Sequence, residues 1–269
     1  MTNPWLAALA ALFLWWFSTG AILWRVRVAD NGGTGQHLTS VLAGLPLLLG
    51  GAWLATHGAS DATVPGVYLG FIAALALWGW IELAFLSGVI TGPVTTPCPA
   101  NLPLPERFWR AFGTIAWHEA ALVATLAALA LIPDGSVTAF LTFALLFVAR
   151  VSAKLNLFFG VPRINTQFLP RPLAHLPSHF RLARASAFYP VSVVSLIAIT
   201  ALLLGLTRAA DSPETTVGYA LLTCLAALAL LEHLFMTLPL PDERLWRWML
   251  PDATPGAKPP TPASLQARK

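Results

Sequence analysis

Apolar residues run along this chain in long blocks broken by short polar clusters, instead of alternating with the two-residue or 3.6-residue period of half-buried strands and surface helices. A helix needs about 20 mostly apolar residues to cross a bilayer, because every backbone N–H and C=O must be satisfied inside the segment. Seven blocks meet this requirement, at roughly 5–26, 38–57, 66–90, 111–132, 137–159, 188–207 and 217–238. Turn-forming clusters such as "DNGGTG" and "PDGS" separate them. The pattern predicts an all-α integral membrane protein: one domain over residues 1–240, a bundle of seven transmembrane helices, followed by a largely disordered tail at 241–269 rich in Pro. The block at 137–159, interrupted by Arg150 and Lys154, is the one that reads most easily as re-entrant instead.

Composition agrees with the blocks. The chain is 57% hydrophobic and 10% charged, with a mean hydropathy of +0.69, whereas soluble domains carry about 25% charged residues. Its two cysteines, Cys98 in a Pro-rich loop and Cys224 within an apolar block, have neither disulfide nor metal-knuckle spacing and read as free thiols. The first block lacks a basic leader and a small-residue cleavage site, so it reads as a first span and not as a removed signal peptide.

Sorting the sixteen Lys and Arg residues by connection orients the bundle, since cytoplasmic loops hold the positive excess. Fifteen fall on one set of connections with the C-terminal tail, and only Arg208 falls on the other. The predicted topology is therefore N-terminus periplasmic and C-terminus cytoplasmic. Of the two long basic-side connections, "TGPVTTPCPANLPLPERFWR" should be extended and semi-rigid. The other, "GVPRINTQFLPRPLAHLPSHFRLARAS", should lie as a broken interfacial segment on the lipid surface.

Inside the blocks, Glu82, His118, Glu119, Arg150, Lys154, Glu232 and His233 fall roughly 7 to 14 Å from the basic end, on four helices. A charge near mid-bilayer costs at least ~2.5 to 3.5 kcal/mol, so such residues face the interior and pair. Three glutamates against Arg150 and Lys154 leave one acid over. One reading is structural: ion pairs that fix helix order and register. The other is a polar pocket in which His118 and His233 offer nitrogens to a ligand such as a chlorin magnesium, with Glu82, Glu119 and Glu232 orienting them. The eleven tryptophans and fifteen phenylalanines suit a flat apolar ring.

Other motifs are weaker. His175 and His179 in "HLPSH" have Pro177 between them and read as surface histidines. "NGGTG" lacks the Lys and Ser/Thr of a phosphate loop and reads as a turn. Gly66 and Gly70 could let a helix approach closely. The sequence carries no catalytic or metal-site signature, and nothing in it points to nucleic acid.

"ARVSAKLNLFFGVP" at 149–162, "FLP" at 168–170 and "HLPSHF" at 175–180 resemble the central signature of the photosynthetic-complex assembly proteins called PuhE, of purple and related phototrophic bacteria. "WIELAFLSGVITGP", "WHEAAL", "FYPVSV" and "LEHLFMTLPLPDERLWRWML" resemble further family blocks in the same order. Arg163, Gln167 and His179 depart from the family pattern. The resemblance implies a seven-span protein of the bacterial inner (photosynthetic) membrane, working with reaction-centre and light-harvesting subunits and with membrane lipids, and influencing bacteriochlorophyll supply. Its motif residues fall largely on the charged layer: Glu82, His118, Glu119, Arg150, Ser152, Lys154, Asn156, Glu232 and His233. The leading expectation is an assembly factor that docks photosynthetic subunits and holds or hands over bacteriochlorophyll or a precursor. Arg150, Lys154, Ser152 and Asn156 would then be its structural polar layer. The alternatives are a membrane-embedded enzyme of tetrapyrrole or isoprenoid metabolism, and a permanent structural subunit of the photosynthetic complex.

Overall fold

The computed structural model describes residues 2–238 with the exception of Thr34, Ser60 and Gln167. The expected disorder of residues 241–269 lies outside the described residues. Among the described residues the secondary structure is helical: α1 (Pro4–Asp30), α2 (Gln36–Ala43), α3 (Leu45–Trp53), α4 (Val64–Leu86), α5 (Leu104–Gly113), α6 (Ala116–Leu131), α7 (Val137–Phe159), α8 (Phe188–Ala209) and α9 (Pro213–Phe235). One isolated bridge, Val161 to Leu182, is the sole strand-like pairing among them. Among the described residues six helical stretches are long and apolar enough to cross a membrane, Gln36–Gly58 counting as one, and there are seven if the bent pair α5 and α6 is a single span. This is the arrangement of a multi-pass membrane bundle.

Local chemistry sets the helix starts at one end of the bundle. Asn3, Thr63, Ser136 and Ser212 each accept a hydrogen bond from the first turn of the helix that follows, and Pro stands in the first turn of α1, α4 and α9. Asp61, from the connection between α3 and α4, reaches across to accept from the Val137 and Thr138 amides, which covers the start of α7 with a carboxylate. Gly70 brings α4 tight against that same turn, with Thr138 Cβ and the Ala139 amide 3.3 Å from where a side chain would begin. The close approach expected of this glycine is therefore used.

α4 is the central helix, with 67% of its most apolar window buried, against 17% for α1 and 11% for α8. Phe71 and Leu75 of α4 pack with Ala7 and Ala11 of α1 and with Val217, Leu221 and Leu225 of α9. Leu77 and Ile81 pack with Leu122 of α6 and Phe143 of α7. The small alanines of α1 let it lie close on α9, the device that replaces hydrophobic drive between helices in lipid.

Two spans depart from simple rods. The block at 137–159 is one unbroken helix long enough to span, as the sequence predicts, and not the re-entrant alternative. The fourth block is bent instead, by 68° between α5 and α6. The segment after α4 forces that bend: Thr91 C=O accepts from the Trp117 and His118 amides at 3.0 and 3.2 Å, and the Val94 amide donates to Gly113 C=O at 3.1 Å. The second span ends in a π-helical turn, Leu54–Gly58, after a break at Gly44.

The opposite end gathers the long connections. The Arg171 amide donates to Asp30 Oδ1 at 3.1 Å, the Arg163 amide to Met236 C=O at 3.1 Å, and the Cys98 amide to Ser178 Oγ at 2.9 Å. The 160–187 connection does not lie flat as expected. Its short turns Arg171–Leu173 and Leu176–His179 bury Leu173 and Leu176 against Phe85, so it folds inward as a cap over the bundle. His179 is 3% exposed, which corrects its reading as a surface histidine. Cys98 and Cys224 are free, as expected.

Candidate functional site

The expected charged layer forms, and it divides into two clusters on two sides of α7. Arg150 and Lys154 are one turn apart and share a face; Ser152 and Asn156 share another. On the first face Arg150 donates to Glu82 Oε2 of α4 at 2.8 Å. Lys154 is paired with Glu119 of α6 and donates to His118 Nδ1 at 3.1 Å. The same Nδ1 faces Glu119 Oε1 at 3.5 Å, and Nε2 faces Glu82 Oε1 at 3.5 Å. His118 is fully buried, its ring 4.3 Å from that of Phe85. It thus bridges the two ion pairs, Arg150–Glu82 and Lys154–Glu119. The bend between α5 and α6 makes this possible, because it sets His118 and Glu119 at the very start of α6.

On the other face Ser152 Oγ lies 2.9 Å from His233 Nε2 of α9, and His233 Nδ1 lies 2.8 Å from Ala229 C=O. The carbonyl can only accept, so Nδ1 carries the proton and Nε2 accepts from Ser152. Asn156, wholly buried, donates to Ser192 Oγ of α8 at 2.9 Å and to Ser152 C=O at 3.0 Å. Tyr189 donates to His233 C=O at 3.3 Å. This cluster ties α7, α8 and α9 together without charge.

Glu232 and His233, neighbours on α9, point opposite ways. His233 is 1% exposed in the neutral cluster. Glu232 borders a cavity of about 980 Å³, and it has no ion-pair or hydrogen-bond partner among the described residues. This is the acid left over in the sequence count. Arg150, 38% exposed, faces the same cavity, as do Glu82, Glu119 and Lys154. The volume is at the top of the ~300 to 1,000 Å³ range of small-molecule sites. Aromatic side chains on five elements, among them Trp15, Trp78, Phe108 and Phe235, complete the wall.

Of the two histidines expected to offer nitrogens to a ligand, His118 has its Nε2 buried without a hydrogen-bond partner among the described residues. Neither borders the cavity, and their ring nitrogens face Lys154 and Glu82 in one case, Ser152 and Ala229 in the other. Among the described residues no group of three metal-ligating side chains occurs.

Sequence reasoning missed the contribution of α5 and of the cap. Phe108 and Phe112 of α5 and Arg163, Phe168 and His179 of the 160–187 connection border the cavity. Arg107 of α5 donates to His179 C=O at 2.8 Å and lies 4.6 Å from the Phe158 ring centre. The visible signal was "RFWRAF", whose charged and aromatic positions alternate at helical spacing. Burial depresses the His179 pKa; a hydrogen bond with the His175 backbone opposes this, and the charges of His175, Arg110 and Arg107 add to the lowering.

No solved structure matches the chain. A protein of Rhodobacter capsulatus described as "Uncharacterized 30.4 kDa protein in puhA 5'region" is 53% identical over 253 residues, which cover 93% of this chain and 92% of that protein. The family model described as "Protein of unknown function (DUF3623)" matches residues 1–257. With near-complete coverage on both counts, the chain belongs to the DUF3623 family.

Proposed function

We propose that this protein is a membrane assembly factor for the photosynthetic reaction-centre and light-harvesting complex, and that its cavity holds bacteriochlorophyll or a precursor in transit. The context comes from the relative, whose printed description sets it in the puhA 5' region, and from the resemblance to PuhE-type assembly proteins over most of the chain. In this reading the protein lies in the bacterial inner membrane with its N-terminus periplasmic and its basic, capped end cytoplasmic, following the fifteen-to-one distribution of Lys and Arg.

One observation carries the ligand part: Arg150 and Glu232 face a cavity of about 980 Å³. A layer serving only as helix glue would be packed shut, as the Ser152–His233–Asn156 cluster is. The ring supplies light absorption and a polar edge; the chain supplies a cationic and an acidic contact in an aromatic slot. His118 acts one step back, by holding Glu82 and Glu119 in place for Arg150 and Lys154.

The test is the absorption spectrum of the tagged protein purified in mild detergent from a pigment-producing host, with mass spectrometry of what copurifies. The expected result is chlorin bands at a fixed ratio to protein, reduced in Glu232→Leu, together with reaction-centre or light-harvesting subunits in less than equal amounts. A colourless protein that brings down no photosynthetic subunit removes the proposal. Equal stoichiometry with the mature complex favours a permanent subunit over a transient factor.

A further inference from the structure

The cavity is polar at one level and apolar below it. Glu82, Arg150 and Glu232 form its charged level, under the cap residues Arg163 and His179. Leu75 precedes Glu82 by seven residues on α4, and Leu225 precedes Glu232 by seven on α9, so both lie about 10 Å deeper in the bundle. Leu145 and Leu146 of α7 border the same depth, and α1 lines it from Ile22 to Trp15. The cavity therefore continues as an apolar limb toward the bilayer centre.

A glycine keeps that limb open. Gly79 borders the cavity in the middle of α4, where Gly costs a helix about 1 kcal/mol relative to Ala. Packing does not demand it: a Cβ there would meet only Ile22 Cδ1, at an ordinary 3.5 Å. By contrast a Cβ at Gly51 would lie 3.0 Å from a backbone carbonyl. The space at Gly79 is room for something other than the protein.

The geometry points to a single-tailed membrane amphiphile as the occupant, its polar end between Arg150 and Glu232 and its hydrocarbon chain in the limb bounded by Ile22, Leu75, Gly79 and Leu146. The two head contacts ask for a group that both accepts and donates a hydrogen bond, as a hydroxyl does. The tail is held by dispersion and shape, as between helices in lipid. α5, which exposes Leu104 and Trp109 on its outer side and turns Phe108 and Phe112 to the cavity, forms the wall nearest the membrane surface. A ligand dissolved in the bilayer therefore need not pass through water. This inference rests on the reading of the cavity as the binding site.

The experiment reconstitutes the full chain in lipid nanodiscs with hexadecanol carrying a mid-chain diazirine, and maps photoadducts by peptide mass spectrometry. Adducts are expected on the limb around Ile22, Leu75 and Leu146, and on the lipid-facing side of α8, where Val194, Ile197 and Leu202 are exposed. Gly79→Phe fills the limb and should lower the limb adducts by about tenfold, the equivalent of 1.4 kcal/mol of binding, while α8 adducts, and limb adducts in the distant Gly50→Ala, stay at the wild-type level. Should Gly79→Phe not fold, Ser18→Leu fills the same limb from α1. Limb adducts no denser than those on α8, or unchanged by a folded filling variant, overturn the inference. A chlorin retained in full by Gly79→Phe also overturns it while leaving the pigment reading standing. Limb adducts in a protein that never carries a chlorin keep the amphiphile site and remove the pigment.

Discussion

Glu119 and Lys154, with His118 against both, form a set in which losing both ionic partners costs less than the sum of the two single losses. Glu119→Gln leaves the Lys154 ammonium with the His118 ring and the face of Phe85 beside it and without its carboxylate partner, and breaking a buried pair by one partner costs about 3 kcal/mol. Lys154→Met should be similarly harmful, and the double variant should lose less than the sum, with a coupling of roughly 1 to 3 kcal/mol. Thermal unfolding midpoints in one detergent, over the four-member cycle, check this; additive losses would mean that the pair is not coupled. His179 gives the pH dependence. Its folded pKa lies below the ordinary value of about 6.5, so the unfolded chain takes up a proton more readily than the folded one, and stability falls as pH drops through 6.5 toward the folded value. Burial lowers His175 in the same sense. Amide exchange across residues 171–182, corrected for intrinsic rates, should therefore quicken on acidification, and His179→Asn should remove most of that change. Every member of the charged layer was legible in the sequence, because a charge in an apolar block stands out. The pairing was not, since it depends on which way each side chain turns: adjacent Glu232 and His233 belong to different sites.

At the scale of elements, six of the apolar blocks coincide with the six long apolar helices and the 111–132 block with α6, and hydropathy was enough for that. Hydropathy does not register a bend enforced by another segment's backbone. The 68° turn between α5 and α6 is made by hydrogen bonds from residues 91–94, and Gly92 sits where the two backbones meet. A Cβ at Gly92 would lie 2.9 Å from the Ala116 nitrogen and would run into the Gly113 carbonyl oxygen. Gly92→Ala should cost more than about 2 kcal/mol, the range of overpacked sites, and should loosen Glu119 from Lys154 because it shifts the start of α6. Yield of monodisperse protein and the melting midpoint report this, with Gly50→Ala, which meets nothing within 4 Å, as the neutral reference. The cap escaped notice for a related reason. Its Arg, His and Phe content reads equally well as a membrane-surface segment, and only the burial of Leu173 and Leu176 distinguishes the two.

For the whole molecule, a multi-pass bundle of six or seven long apolar helices among the described residues followed from block length alone, while the cavity followed from nothing local. It arises because α4 and α9 carry acids, α7 carries cations and α5 stands off at an angle, which is a property of how separate elements meet. The ion pair that closes one side of it joins Glu82 to Arg150, 68 residues further along the chain. At about 5 to 20 residues per second of synthesis, the ribosome needs roughly 3 to 14 s to cover that distance. For those seconds α4 is already available to the membrane while its cationic partner has not been made. The acid must spend that interval protonated, near water, or in the care of the insertion machinery, so the most central helix of the finished bundle is the one that waits longest for its counter-charge.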